Sequence, residues 1–342
     1  MIYRDVDFFN AEQIVEDIVP GCVVLNRFSS HAIGGLDSGD DRRGPITQAY
    51  GNDIEIRFVS ENDSIDVYIG AWDNDGYVRI SLGDYDHSTV YLPKDEITCI
   101  TLNKHPRLAL LTTDDTERFS KNLWRIKYLK RFTPVFSHVD GKGGVIRPPT
   151  FEEIPKKTMM AYGSSITFGA GTGPMSALTH MDILARMLGV QVMNKSMPGS
   201  CFCELSYGDY LSDIKADYYF YELGGNMRLR FTAKEFKERA SHIVNETRRK
   251  NPFAPIMLLT VYPLLKSIPD EDNVKANSII VKYDKILTEL AENDDNIYLI
   301  NSSEILIDTR LLSFDGLHPS GYGNMVMAQR ICDRIKYIIQ GI

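Results

Sequence analysis

Apolar and polar residues alternate in Asp53-Ile-Glu-Ile-Arg-Phe-Val59 and Ser64-Ile-Asp-Val-Tyr-Ile69, the period-two pattern of half-buried strands. Val78-Arg-Ile-Ser-Leu82 and Ile97-Thr-Cys-Ile-Thr-Leu102 extend the series. Turn-forming breaks at Asp73-Asn-Asp-Gly76 and Leu92-Pro-Lys-Asp95 separate the runs. Short strands at this spacing, from about Ile46 to Thr112, predict an antiparallel β-sandwich.

From about Lys157 the pattern changes. Met159-Met-Ala-Tyr162, Val190-Gln-Val-Met193, Tyr218-Tyr-Phe-Tyr-Glu-Leu223, Pro255-Ile-Met-Leu-Leu-Thr260 and Ile297-Tyr-Leu-Ile300 read as buried parallel strands. Helical stretches fall between and after them: about Pro174 to Leu188 with Gly189 as C-cap, Thr232 to Lys250 opened by a capping box, Asn273 to Ala291, and Tyr322 to Ile339. Alternating strands and helices predict an α/β domain, a parallel sheet covered on both faces. The proline-rich stretch from Arg147-Pro-Pro149 to Pro155 suits a linker. The expected organisation is a β-sandwich, jelly-roll-like, over residues 1–150 and an α/β domain over 156–342.

Composition narrows the function. The chain has 342 residues, 43% hydrophobic and 25% charged, ordinary for a globular protein. A formal net charge of -8 argues against nucleic acid as a partner. The compact basic run Arg248-Arg-Lys250 falls at a predicted helix end, where cations complement the helix dipole. The N-terminus carries acids where a signal peptide needs a basic start, and no stretch reaches the roughly 20 apolar residues that span a bilayer. Five scattered cysteines agree with a reducing compartment, so a cytoplasmic location without membrane association is expected. Cys201 and Cys203 are too close in sequence, and too isolated, for a zinc site.

Four segments carry candidate chemistry. Tyr162-Gly-Ser-Ser-Ile-Thr167 follows a strand, where an open parallel sheet binds its ligands. Asn194-Lys-Ser-Met-Pro-Gly-Ser200 and Glu222-Leu-Gly-Gly-Asn226 follow the next two, and offer the Gly199 N–H and the Asn226 amide as donors to an oxyanion. Asp315-Gly-Leu-His-Pro-Ser-Gly-Tyr322 places a carboxylate three residues before a histidine, which titrates near working pH. An acid at that range can hold Nδ1–H and leave Nε2 facing a serine. Pro319 fits the start of the last helix.

In this order, Gly163-Ser-Ser-Ile-Thr167, Gly199, Gly224-Gly-Asn226 and Asp315-Gly-Leu-His318 resemble the four blocks of the SGNH or GDSL hydrolases. The resemblance implies a flavodoxin-like three-layer domain over residues 156–342 and two-step acyl transfer. Ser165 would be the nucleophile, with Asp315 and His318 completing a triad and Ser165, Gly199 and Asn226 forming the oxyanion hole. Two positions depart from the family pattern: Ser164 replaces the usual Asp, and Met227 replaces the Asp after the block-three Asn. This variant, with a β-sandwich before it, looks like the two-domain group containing SsfX3-like acyltransferases and carbohydrate acetyl esterases. It implies no cofactor and no metal, and an acetylated oligosaccharide or another small ester as substrate. An acyltransferase with the same triad is the alternative, and a non-catalytic glycan binder a remote one. A homo-oligomer stays open.

Other features read as structural. Gly169-Ala-Gly171-Thr-Gly173-Pro174 lacks the residues of a dinucleotide or phosphate loop and reads as a flexible pocket rim. His180 reads as a structural helix residue, and Asp37, Asp40 and Asp41, followed by two arginines, as a solvated loop. Arg228 and Arg230 stand just past Asn226 and read as surface residues with some reach toward a polar substrate.

Overall fold

The computed structural model describes residues 1–34, 51–110, 118–129, 131–172, 178–263 and 271–340. The chain divides into two compact units, Met1–His31 with Thr47–Lys156, and Ala32–Ile46 with Lys157–Ile342. The loop of Asp37, Asp40 and Asp41, and Pro174, lie outside the described residues.

In the first unit the strands are β1 (Ile2–Tyr3), β2 (Val6–Phe9), β3 (Gln13–Val15), β4 (Val23–Asn26), β5 (Glu55–Val59), β6 (Ser64–Trp72), β7 (Gly76–Leu82), β8 (Tyr85–Leu92), β9 (Glu96–Asn103), β10 (Leu123–Leu129) and β11 (Thr133–Asp140). They form two antiparallel sheets, ordered β1-β2-β5-β10-β7-β8 and β3-β4-β11-β6-β9. Phe8, Ile56, Val78 and Trp124 of one sheet share a core with Leu25, Val67, Ile100 and Phe136 of the other, which makes a sandwich. The strands extend well beyond the alternating stretch between Ile46 and Thr112. Val23-Val-Leu-Asn26 is buried at every position, and a fully buried run shows no alternation. The proline-rich stretch is ordered on this unit: Arg147 and Val59 exchange backbone hydrogen bonds, and Ile154 packs on Val59, Phe119 and Leu123.

A short helix α1 (Ser30–Gly34) is the last element before residues 35–50, which lie outside the described residues. The second unit contains β12 (Thr158–Tyr162), β13 (Gln191–Asn194), β14 (Tyr218–Glu222), β15 (Ile256–Leu259) and β16 (Ile297–Ile300). They pair in parallel in the order β13-β12-β14-β15-β16, the flavodoxin-like order 2-1-3-4-5. The helices are α2 (Ser165–Phe168), α3 (His180–Leu188), α4 (Leu205–Asp213), α5 (Ala233–Lys250), α6 (Glu271–Glu292) and α7 (Gly321–Gln340).

Strand alternation assigns the layers. Met159 and Ala161 of β12 join a core with Met181 and Leu184 of α3 and Met327 and Ile331 of α7. On the opposite face, the Tyr162 ring meets Tyr207 of α4, and the Tyr221 hydroxyl meets Thr247 of α5 at 2.6 Å. Helices therefore cover both faces, a three-layer α/β/α domain. Helix α3 starts at His180 rather than near Pro174, because Thr179 and Asp182 close a capping box there. Helix α7 likewise starts two residues after Pro319: the Ser320 hydroxyl accepts from Gly323 N–H at 3.1 Å, so serine and not proline opens the helix.

Candidate active site

In a 2-1-3-4-5 sheet the strand order reverses between the first and third strands, here β12 and β14, and their carboxyl ends frame a crevice. Tyr162-Gly-Ser-Ser leaves β12 directly into α2. Ser164 caps that helix through its hydroxyl, and Gly169 closes it with a left-handed φ of 90°. Ser165 is thus the first residue of a single-turn helix, where its N–H has no intrahelical partner.

The loop before α7 is folded back on itself. Ser313 N–H donates to the His318 carbonyl at 2.7 Å, and Ser320 N–H to the Leu311 carbonyl at 2.8 Å. Inside this loop one Asp315 oxygen accepts from the N–H groups of Leu317 and His318, both at 2.9 Å, and from the Ser313 hydroxyl at 2.7 Å. The other Asp315 oxygen lies 2.7 Å from His318 Nδ1, and His318 Nε2 lies 2.7 Å from Ser165 Oγ. Ser165, His318 and Asp315, spread over more than 150 positions, form one hydrogen-bonded chain. Burial alone would push the Asp315 carboxyl up; the His318 ring and the N–H donors outweigh it and hold it well below the usual carboxylate range.

Gly199 and Asn226 lie on neighbouring loops that are fixed to the same turn. Met197 N–H donates to the Gly163 carbonyl at 3.0 Å, and Cys201 N–H to Asn226 Oδ1 at 3.1 Å. With its oxygen occupied, the Asn226 amide keeps Nδ2 as a donor without a partner among the described residues. Gly199 has a left-handed φ of 75° and open space where a side chain would stand.

Residues 156–336, over half of the 342-residue chain, match the GDSL-like lipase/acylhydrolase family. The chain belongs to that family, one of ester hydrolases. A curated relative, the uncharacterized protein YpmR of Bacillus subtilis, is 22% identical over 245 residues, which cover 62% of this chain and 92% of YpmR. The salicylyl-acyltransferase SsfX3 from a tetracycline biosynthetic pathway superposes with a TM-score of 0.74 and 16% identity, over 98% of this chain and 96% of its own. An acetyl xylan esterase, Est2A of Butyrivibrio proteoclasticus, gives 0.61 and 12% over 99% and 96%. A family two carbohydrate esterase from Clostridium thermocellum, solved with cellohexaose, gives 0.58 and 15% over 86% and 94%. At these identities the likeness is one of fold, and it spans both units.

Within the GDSL frame the structure adds residues that sequence reasoning passed over. Glu222, at the end of β14, is buried beneath the Ser164–Thr167 turn and accepts from Ser164 N–H, Ser164 Oγ and Thr167 Oγ1, each at 2.8 Å. Burial pushes its carboxyl up, and those donors only partly counter it. Ser164, which stands where the family pattern has an Asp, supplies two of the three donors to this carboxylate; the adjacent Glu222-Leu-Gly-Gly pattern was the available signal. Gly163 is required by the close approach, since a Cβ there would stand 2.7 Å from the Glu222 carboxylate. Gly171, in the stretch read from the sequence as a pocket rim, has a φ of 89°, and a Cβ there would stand 2.5 Å from His318 Cβ. Among the described residues no group of three or more His, Cys, Asp or Glu side chains could hold a metal ion, and no helix is long and apolar enough to cross a membrane.

His180 is fully buried and supports the histidine loop from behind. Asn324 donates from Nδ2 to the Pro319 and Ser320 carbonyls, so its Oδ1 faces His180 Nδ1 at 3.2 Å and accepts from it. Burial pushes the His180 pKa down to about 4, against a modest raising by Asn324. The folded pKa is depressed, so its contribution to stability is complete above the unfolded value and is lost as pH falls toward 4. Urea unfolding between pH 7.5 and 4.5 should show an acid loss of about 2–3 kcal/mol that His180→Gln lacks. Equal acid losses in the two proteins would contradict the buried neutral ring.

Proposed function

We propose that this chain is a serine esterase acting by two-step acyl transfer, and that the contact of His318 Nε2 with Ser165 Oγ at 2.7 Å is what carries the reading. Ser165 Oγ attacks the ester carbonyl carbon and passes its proton to His318, whose Nδ1–H stays bonded to Asp315. The carbonyl oxygen becomes an oxyanion and accepts from the N–H groups of Ser165 and Gly199 and from Asn226 Nδ2. The C–O bond to the alcohol then breaks, and the alcohol leaves with the proton from His318. Water, deprotonated by His318, attacks the acyl-enzyme and releases the acid and Ser165.

The substrate proposed is a short-chain, acetyl, ester of a carbohydrate, supported by the fold shared with the acetyl xylan esterase and the family two carbohydrate esterase. A cytoplasmic setting is part of the proposal, supported by the free thiols of Cys22, Cys201, Cys203 and Cys332 in buried positions. The SsfX3 superposition, which covers nearly the whole chain, favours a second reading in which an acceptor alcohol replaces water.

Hydrolysis of p-nitrophenyl acetate by the wild type and by Ser165→Ala, with and without added alcohols, tests both. Turnover lost in the variant supports the esterase, and ester products that displace free acetate support the transferase. Turnover that survives in Ser165→Ala would remove the nucleophile assignment.

A further inference from the structure

One end of the β-sandwich holds a cavity of about 610 Å³ that the esterase reading leaves unused. Cavities between about 300 and 1,000 Å³ suit small organic molecules. In one sheet β6 begins and β9 ends here, with Ser64 paired to Asn103. In the other, β7 ends at Leu82 and β10 begins just after Asn122. A 3₁₀ turn, Pro106–Leu110, follows β9 and packs Leu108 on the core that also contains Leu82, which gives the cavity an apolar wall.

The polar wall is positioned by the fold. The Lys104 ammonium, just past β9, donates to the Ser60 carbonyl at 2.6 Å and to Asn122 Oδ1 at 3.3 Å, which ties the two sheets together at this end. With its oxygen taken, Asn122 keeps Nδ2 as a donor. Arg107 N–H donates to His105 Nδ1 at 3.2 Å, so Nε2 of that ring carries a proton. Glu61, Asp63 and Asn103 complete the wall, and their side chains enter no hydrogen bond or ion pair among the described residues. Two carboxylates, two amides and an imidazole N–H thus surround one space as acceptors and donors.

A pyranose matches that lining. Each of its hydroxyls both donates and accepts, so neighbouring hydroxyls donate to a carboxylate and accept from an amide, while the C–H face of the ring lies on leucine. The carboxylates of Glu61 and Asp63 offset the ammonium groups of Lys104 and Lys121, so the lining favours neither an anion nor a cation. Among the described residues no aromatic ring except the His105 imidazole lines it, which leaves a nucleobase nothing to stack on. We infer that the cavity is a non-catalytic binding site for a short neutral saccharide. The inference goes beyond the esterase reading and does not depend on it, because it concerns holding a glycan and not cleaving one. Hydrogen bonds exchanged for those with water leave a small net gain, so the expected Kd for cellobiose is on the order of 1 mM.

Calorimetric titration of the full chain with cellobiose, glucose, glucosamine and glucuronate tests it without any turnover. Two variants are compared with the wild type: Asn103→Trp, whose ring fills the cavity, and the double variant Glu61→Ala with Asp63→Ala. All three positions are exposed, so the core is left intact and melting temperatures should match. If the tryptophan variant fails to fold, the double variant still decides. Cellobiose binding that is abolished in Asn103→Trp and weakened about 10-fold or more in the double variant supports the site. Cellobiose bound equally by all three proteins is held elsewhere, the ester-cleaving centre included, and overturns the inference. Absence of cellobiose binding in the wild type overturns it as well. Glucosamine or glucuronate held more tightly than glucose, with the difference lost in Asn103→Trp, would show a cavity that selects charge, and a neutral saccharide would no longer be its ligand.

Discussion

Ser165→Ala is expected to lower kcat on an activated acetate ester by about 10⁴- to 10⁶-fold, and adding His318→Ala to lower it little further. The reason is the single hydrogen-bonded chain of Ser165 Oγ, His318 Nε2 and Nδ1, and Asp315. His318 has nothing to deprotonate once the hydroxyl is gone, so the two losses cannot multiply. The activity that remains should be that of the oxyanion donors alone, with Gly199, Asn226 and the residue-165 N–H still in place. Measuring kcat for both single variants and the double variant closes the cycle. Losses that multiply would mean that Ser165 and His318 act in separate steps, and the proposed mechanism would fail.

Glu222→Ala is expected to destabilise the protein by about 3–5 kcal/mol and to cut kcat by about 100-fold, although Glu222 is not bonded to Ser165. Removing the carboxylate leaves the Ser164 N–H, the Ser164 hydroxyl and the Thr167 hydroxyl buried around a vacated space. Those groups set the turn on which Ser165 stands, so a shift there moves the nucleophile away from His318. Glu222→Gln keeps an acceptor for the Ser164 N–H, and the two hydroxyls can rotate to accept from its amide, so most of the loss should be recovered. The pH dependence follows from the raised carboxyl of Glu222. A folded-state pKa above the unfolded one gives stability that is complete below the ordinary carboxylate range and lost as pH rises through the folded value. The stability of wild type relative to Glu222→Gln should therefore shrink between pH 4.5 and 7.5 in urea titrations. Both proteins share the titration of His180, which cancels in the difference. A gap that widens with rising pH would mean that Glu222 is held ionised in the fold.

The parallel strands of the second unit were readable because buried strands bounded by helical patterns and capping residues are local signals. Thr232 and Glu235 announced α5 in this way. Thr179 and Asp182 carried the same signal for α3, and the apolar residues before them obscured it. In the first unit β4 escaped notice because both of its faces are buried, and alternation marks only a strand with one wet face. The SGNH resemblance was legible for a related reason: Gly163-Ser-Ser, Gly199, Gly224-Gly-Asn226 and Asp315-Gly-Leu-His318 are each compact motifs.

Local chemistry thus let the sequence alone determine the fold class, the family and the names of the candidate residues, since strand period, helix caps and short motifs are all written over a few neighbouring positions. The tertiary structure alone decided which side chains meet. Glu222 reaches Ser164 across 58 positions, Gly171 backs His318, and Asn324 ties His180 to the histidine loop. Each depends on how distant strand ends converge at one edge of the sheet, and on how much water that convergence removes. A hydrogen bond or a lost hydration shell is a property of that three-dimensional neighbourhood, which no pattern along the chain encodes.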